Sequence, residues 1–380
     1  MIYLDNSATS YPKPKCVIDG INDAFINYGV NSSRGSYKMA IETTEQIYNC
    51  RKLISEYFHM GDCEKVIFTN NCTTALNMAI KGVAKSGGHF IISNFEHNAV
   101  VRPLESLKQL GICDYSIAEI TNDLYHTLKN FEEKIQKNTI AIICTGASNV
   151  FGVIPPYKSI ASLAHKYNKL FILDYSQIAG IIPLDINKTD IDILCCSGHK
   201  GILGPTGTGI LLINNEILLN PILEGGTGSN SWNLTQPDYY PDRLESGTQN
   251  IVGIIGLSKA IEYLNSFMPY SIYNHEMKLL KYFYSNMRCY KDLIFYTDLF
   301  DNSKIFAPIL SFNIKNMHSE EVAQKLADDD IAVRAGFHCA PLAHKSLKTH
   351  EIGTVRVSPS IFTTKKDIDL LIKSLIKIAK

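Results

Sequence analysis

Val66-Ile67-Phe68-Thr69-Asn70-Asn71-Cys72-Thr73-Thr74-Ala75-Leu76-Asn77 passes from a short apolar run, through a polar turn, into a helical pattern that continues to about Val83. Four residues of that kind suit a strand buried on both faces, and the apolar spacing that follows suits a helix packed against it. The same unit recurs along the chain. Short apolar runs lie at Phe90 to Ser93, Ile140 to Cys144, Leu170 to Leu173, Ile191 to Cys196 and Gly209 to Ile213, with a further helical pattern from about Tyr157 to Tyr167. Such alternation predicts an α/β fold with a mainly parallel sheet covered by helices on both faces. Ligands in such sheets gather at the C-terminal ends of the strands.

The residues at those ends are polar: Asn70, Asn71 and Thr73; Glu96 and His97; Ser148 and Asn149; Asp174; Ser197 and His199. The helix opening near Cys72 offers free backbone amides and a positive dipole end, which together attract an anion such as a phosphate. Thr73 and Ser197 add hydroxyls, and His199 a ring N–H. A threonine before a helix is ordinarily just an N-cap. Three separate strand ends with phosphate donors favour the functional reading.

Two strand ends carry opposite charges. Leu194-Cys195-Cys196-Ser197-Gly198-His199-Lys200 delivers a lysine into a glycine-flanked turn, and Phe171 to Leu173 runs into Asp174, with Gln177 beyond it. Pyridoxal phosphate needs this pair: a lysine holds it as an imine, and a buried aspartate keeps its pyridine nitrogen protonated. Desolvation beside another cation, here expected from His199 and the coenzyme, lowers the lysine pKa. His97 is placed to lie flat on the pyridine ring, and Asn149 and Gln177 to hydrogen-bond its phenolic oxygen.

At 380 residues the chain is long enough for one large and one smaller domain. The pattern changes after Ile251 to long helices, near Ile251 to Ser266 and Tyr273 to Met287, and then to shorter mixed pieces. The expected division is residues 14–255 as a large cofactor-binding domain, with 1–13 and 256–380 as a small α+β domain. Gly225 to Asp242, rich in Gly, Ser, Asn and Pro and holding the sole tryptophan, Trp232, reads as a mobile loop. Lys+Arg and Asp+Glu balance at 37 each, so no global field favours nucleic acid or an anionic membrane. No apolar stretch approaches a membrane span, and the N-terminus reaches Asp5 and Asn6 without a charged leader, so a cytoplasmic location is expected. Ten scattered cysteines with no Cys-x-x-Cys pair fit neither a disulfide framework nor a zinc site, and no metal is expected.

With these residues in place, the chain resembles the class V aminotransferase family, and within it the group II cysteine desulfurases and selenocysteine lyases. The motifs that carry the resemblance run nearly the whole length: Tyr3-Leu4-Asp5-Asn6-Ser7-Ala8-Thr9, Glu96-His97, Ser148-Asn149, Asp174 with Gln177, Ser197-Gly198-His199-Lys200, Gly204-Pro205-Thr206-Gly207, Glu245-Ser246-Gly247-Thr248-Gln249-Asn250 and Arg334-Ala335-Gly336-Phe337-His338-Cys339-Ala340. The resemblance implies the aspartate-aminotransferase-like fold of pyridoxal phosphate enzymes, with a seven-stranded sheet. It implies Lys200 as the imine lysine, Asp174 as the partner of the pyridine nitrogen, His97 as the stacking ring and Gln177 at the phenolic oxygen. Cys72, Thr73, Ser197 and His199 would hold the phosphate. Gly247 and Thr248 would reach the neighbouring site of a homodimer, and Arg356, with Asn149 and Arg334, would bind the substrate carboxylate.

Cys339 decides the reaction type. A thiol there points to transfer of sulfur from L-cysteine, with alanine as the product and a persulfide on Cys339 for delivery to an acceptor protein or small thiol. A selenocysteine lyase acting on L-selenocysteine, or another aminotransferase or C–S lyase on the same scaffold, is the alternative. His338 and Arg334 are expected to stabilise a Cys339 thiolate. The chain departs from the family pattern at Cys72, where a threonine is usual, at Phe337, where a second histidine is usual, and at Tyr37 in Ser33-Arg34-Gly35-Ser36-Tyr37, where a histidine is common.

Overall fold

The computed structural model describes residues 1–32, 35–301 and 303–379, so Ser33 and Arg34 of the stretch just named lie outside the described residues. After a short first strand, β1 (Ile2–Tyr3), come β2 (Val66–Thr69), β3 (Gly88–Ser93), β4 (Cys113–Ala118), β5 (Thr139–Thr145), β6 (Leu170–Asp174), β7 (Ile193–Ser197) and β8 (Gly209–Ile213). The last seven form one sheet in the order β2-β8-β7-β6-β5-β3-β4. Strands β3 to β7 run parallel, and β8 is antiparallel to both its neighbours, β2 and β7. The C-terminal ends of β2, β3, β5, β6 and β7 therefore open on one edge.

Strand alternation divides the core between the two faces. On β7, Ile193 and Cys195 enter one apolar cluster with Leu76, Ile80 and Val100, whereas Leu194 and Cys196 enter another with Ile54, Ile160 and Ile261. Both clusters are covered by helices, so these strands have no solvent face and read as unbroken apolar runs. The edge strand β4 is the exception, and the sequence reading did not name it: only Cys113 and Ala118 are buried, with Asp114 and Ile117 exposed. All ten cysteines are free, and six of them, Cys50, Cys72, Cys113, Cys144, Cys195 and Cys196, are buried.

The remaining strands are β9 (Leu293–Phe295), β10 (Leu310–Ile314), β11 (Ile331–Ala332), β12 (Arg334–Gly336) and β13 (Thr354–Val357). Four of them form an antiparallel sheet in the order β12-β13-β10-β9, while β1 pairs in parallel with β11. Leu4 joins an apolar cluster with Leu280, Phe283, Phe312, Val355 and Leu371, so the N-terminal strand belongs with the C-terminal third of the chain. The helix Ile251–Asn265, which straddles residue 255, packs through Ile254, Leu257 and Ile261 into the core on the large sheet. Residues 225–242 hold neither helix nor strand; Trp232 and Leu234 are fully exposed there, while Gln236 Nε2 donates to Asp242 O at 3.1 Å and to Ser246 Oγ at 3.0 Å.

Candidate active site

The strand ends meet in one cavity lined by Asn71, Cys72, Thr73, Leu76, His97, Ala99, Thr145, Ala147, Asn149, Asp174, Ser176, Gln177, Ser197, His199 and Lys200. Register explains the convergence. Thr145 lies beside Asp174, Asp174 beside Cys195, and Ser197 beside Gly209, which faces Thr69 across β8. The structure brings together nine of the residues expected there, Cys72, Thr73, His97, Asn149, Asp174, Gln177, Ser197, His199 and Lys200, with the strand-end Asn71 beside them, and adds Thr145 and Ser176.

Asp174 is buried, and its Oδ1 accepts the Ser176 amide at 3.0 Å and the Cys72 thiol at 3.7 Å. Burial holds the Cys72 thiol well above its ordinary pKa, with Asp174 pushing the same way, so Cys72 is a protonated donor where the family has a hydroxyl. Burial lowers the Lys200 pKa; the Asp174 carboxylate opposes that shift, and the Arg356 and Arg334 guanidiniums add to it. The histidine beside Lys200 is not the cation expected from the sequence. Burial first, then Lys200 and Lys13, lower His199 to about 4, so its ring is neutral at physiological pH and the two arginines supply the positive field instead.

His97 ends the turn after β3 and caps the helix Asn98–Gln109. Its Nδ1 accepts the Ala99 amide at 3.0 Å, which leaves the ring proton on Nε2. Burial and Lys200 lower its pKa to about 4, giving a neutral, flat ring on the cavity wall. Glu96 beneath it is fully buried: Oε1 takes the Ser93 hydroxyl and the Thr145 amide, the latter at 2.8 Å, and burial lifts its pKa to about 8. A neutral carboxylic acid thus ties the end of β3 to the end of β5.

Asn71, rather than Thr73, caps the helix Cys72–Val83, accepting the Thr74 amide at 2.9 Å. That leaves the Cys72 and Thr73 amides at the positive helix end with no bond among the described residues. Four buried polar atoms of this cavity lack a partner: Ser176 Oγ, Asn149 Oδ1, Ser197 Oγ and His199 Nδ1. Buried polar groups are nearly always paired. The two hydroxyls and the His199 ring can donate and Asn149 Oδ1 accepts, so with the two helix amides they make a polar set suited to a phosphorylated, polar-rimmed ring.

Arg356 is buried on β13, with Nη1 donating to Asn149 O at 2.8 Å and Nη2 to Asp5 Oδ1 at 2.6 Å. Asp5, which the sequence reading used only as part of a motif, is its counter-ion. The Arg356 Nε–H is buried without a partner. Arg334 lies directly across from Arg356 on β12, exposed.

Cys339 does not line the cavity; it sits in a turn whose backbone passes through positive φ at Gly336 (97°), His338 (48°) and Cys339 (56°). It is exposed, and its carbonyl accepts the Asn98 amide at 2.8 Å, which joins the turn to the His97 end of the cavity. Asn149 Nδ2 makes a second tie, donating to His338 O at 2.6 Å. His338 does not serve the thiol as expected. Its ring is buried, bonded through Nε2 to Thr354 O at 3.0 Å and stacked on His344 at 5.9 Å, and burial lowers its pKa to about 2, so it carries no positive charge.

Thr248 is exposed and lies outside its own chain's cavity, just after Gly247 at φ 88°. The segment before it is anchored by a buried pair: Arg51 Nη1 reaches Glu245 Oε1 at 2.8 Å, Nη2 reaches Oε2, and Oε1 also accepts the Phe68 amide at 2.6 Å.

Comparison with known proteins gives a concordant result. The chain belongs to the class V aminotransferase family, whose profile matches residues 2–371. Among curated relatives, a probable cysteine desulfurase of Methanothermobacter thermautotrophicus is 30% identical over all of this chain and 94% of its own length. One of Borreliella burgdorferi is 32% identical over all of this chain and 92% of its own. The apo structure of a cysteine desulfurase from Thermococcus onnurineus superposes with a TM-score of 0.90 at 29% identity, covering 100% of this chain and 94% of that one.

Proposed function

We propose that the protein is a pyridoxal-phosphate-dependent cysteine desulfurase that converts L-cysteine to L-alanine and carries the sulfur as a persulfide on Cys339. The carrying observation is the juxtaposition of Lys200 and Asp174 in one cavity with an exposed thiol tied to that cavity's rim through Asn98 and Asn149. The names of the full-length relatives support the same reading.

Bound through Lys200, the coenzyme would supply an electron sink that makes the substrate's α-proton removable. Asp174 would hold the proton on its pyridine nitrogen, His97 would cover its ring, and Gln177 and Asn149 would bond its phenolic oxygen. The Cys72 and Thr73 amides, Thr73 Oγ1, Ser197 Oγ and His199 would receive its phosphate, joined by Thr248 from the second subunit of a homodimer. Exposed Ile18, Phe25 and Ile26 on one surface helix and Met39, Ile41 and Tyr48 on the next support such a subunit contact. Arg356 would clamp the substrate carboxylate with its unpaired edge, Asn149 and Arg334 assisting. Burial shifts Lys200 toward its neutral amine, the form that would take the α-proton. The Cys339 thiolate would attack the substrate's sulfur, so that an S–S bond forms as the substrate's Cβ–S bond breaks and the electron pair of that bond stays on the carbon skeleton, which takes up a proton on the way to alanine.

The division into residues 14–255 and 1–13 with 256–380 is part of this proposal. The cluster that joins Leu4 to residues 277–375 supports it, whereas Ile254 to Leu264 pack with the larger part. Among the described residues no helix is long and apolar enough to cross a membrane, in keeping with action in the cytoplasm. Incubating the pure protein with L-cysteine and a reductant tests the reading: alanine and sulfide in equal amounts are expected, and the absence of both would overturn it.

A further inference from the structure

The carbonyl that joins His199 to Lys200 takes four donors from the N-terminal segment: Lys13 Nζ at 2.8 Å, the Ser10 amide and Ser10 Oγ at 3.1 Å each, and Thr9 Oγ1 at 3.2 Å. A carbonyl oxygen has two lone pairs, so the three neutral donors would satisfy it without the lysine. The ammonium is held there against its own desolvation: burial lowers the Lys13 pKa to about 8, and no carboxylate acts on it. What it adds is a charge-assisted bond, about twice as strong as a neutral one.

The other end of the same segment grips the opposite side of the site. Asp5 Oδ1 accepts Arg356 Nη2 at 2.6 Å, Asn6 Nδ2 donates to Ser358 O at 3.0 Å, and the Ser7 amide donates to Ser358 Oγ at 2.9 Å. Between the ends the segment is folded on itself, with the Tyr11 amide on Asn6 Oδ1 at 3.1 Å and Tyr3 Oη on Thr9 O at 3.0 Å. Residues 5–13 therefore run as a strap from Arg356 on β13 to the turn that presents Lys200. The small sheet holding β13 and the large sheet share no strand, so this strap is a direct brace between them.

We propose that Lys13 is a positioning residue: its ammonium clamps the strap to the His199 carbonyl and so fixes Lys200 relative to Arg356, the two groups that must reach one substrate molecule. The inference rests on the roles given to Lys200 and Arg356 above. His199 and Lys200 are the titratable groups on the gripped turn, and His199 is already neutral above about pH 4. On the strap and the helix after it, Asp5 is paired with Arg356 and Lys15 with Asp19. Lys200 is common to wild type and variants, so a comparison among substitutions at residue 13 isolates the clamp.

The test sets wild type beside Lys13→Met and Lys13→Arg. At pH 7 Lys13→Met is expected to lower kcat on L-cysteine roughly tenfold with KM little changed, and Lys13→Arg to keep most of the wild-type rate. As pH rises past about 8 the wild type falls toward Lys13→Met, whereas Lys13→Arg, whose guanidinium stays charged, does not. A packing role predicts no such divergence. Wild-type kcat in Lys13→Met, or parallel pH profiles for wild type and Lys13→Arg, overturns the clamp. In the coenzyme-free protein, NMR titration of His199 reads the ammonium without turnover: the ring pKa should rise in Lys13→Met and stay low in Lys13→Arg. An unmoved His199 overturns the clamp even where activity falls. Should Lys13→Met fail to fold, the pH profile of Lys13→Arg against wild type decides alone. If the wild type makes no alanine while His199 moves as expected, the desulfurase reading fails and the clamp stands.

Discussion

The cavity around Lys200 and the turn that carries Cys339, the two reactive centres of the proposed function, are built on opposite principles. In the cavity, side chains are presented by the ends of buried parallel strands, whose positions are set by a ladder of backbone hydrogen bonds and by apolar clusters on both faces. Polar atoms there stay unpaired because the surrounding scaffold is rigid enough to hold them. The Cys339 turn lies outside that ladder; it is held by a left-handed backbone and by three ties, Asn98 N–H to Cys339 O, Asn149 Nδ2 to His338 O and His338 Nε2 to Thr354 O. A coenzyme must stay for many turnovers, whereas a sulfur carrier must meet a partner outside.

The sharpest way to separate the two centres is to remove each nucleophile in turn. Lys200→Ala should lose the visible absorbance of the bound coenzyme and lower alanine formation by roughly 10²–10⁴-fold, read by spectrophotometry and amino-acid analysis. Cys339→Ala should keep that absorbance and the spectral change on adding L-cysteine, yet form no persulfide by mass spectrometry. A Cys339→Ala protein that still releases sulfide at the wild-type rate would erase the distinction.

A smaller effect tests the buried wall. Glu96 has a folded-state pKa of about 8, above that of an exposed glutamate, so the folded protein binds an extra proton between about 4.5 and 8. Its contribution is therefore fullest below the lower value and is lost as pH rises to the upper one. Glu96→Gln, which keeps the acceptor for Thr145 and Ser93, should flatten the fall in melting temperature across that window and leave it unchanged at pH 4. An unaltered slope by calorimetry would show that Glu96 is already ionised.

The smallest expected effect is at the turn. A Cβ at Gly336 meets nothing closer than Glu320 Oε1 at 3.9 Å, so the penalty of Gly336→Ala is backbone strain alone, about 1–2 kcal/mol at φ 97°. Denaturant unfolding should show that loss. Turnover of L-cysteine should fall while coenzyme absorbance is unchanged, because strain in the turn moves Cys339 and not the cavity. Equal loss of both would mean that the two centres share one mechanical unit.

The central sheet was legible because strands buried on both faces leave continuous apolar runs, and the polar residues that close them stand out against that background. Strand β4 escaped because an edge strand faces water and carries Asp114 and partly exposed neighbours, which dilute the apolar signal. The site residues on strand ends were readable for the same reason as the strands. Asp5 was not: its partner Arg356 is 351 residues away, and nothing local announces that Asp5 will bridge to Ser358 just past the end of β13. Nor could a sequence give the charge of His199 or His338, since both are decided by how completely the fold removes water from the ring.

The sequence by itself determined that polar and reactive groups would collect at one edge of an α/β sheet, with Lys200 and Asp174 among them, because strand period and turn chemistry are local properties. Tertiary structure alone decided which of those groups carry charge, which remain unpaired and that Cys339 stands outside on a left-handed turn. Burial, pairing and exposure depend on segments hundreds of residues apart closing over one another.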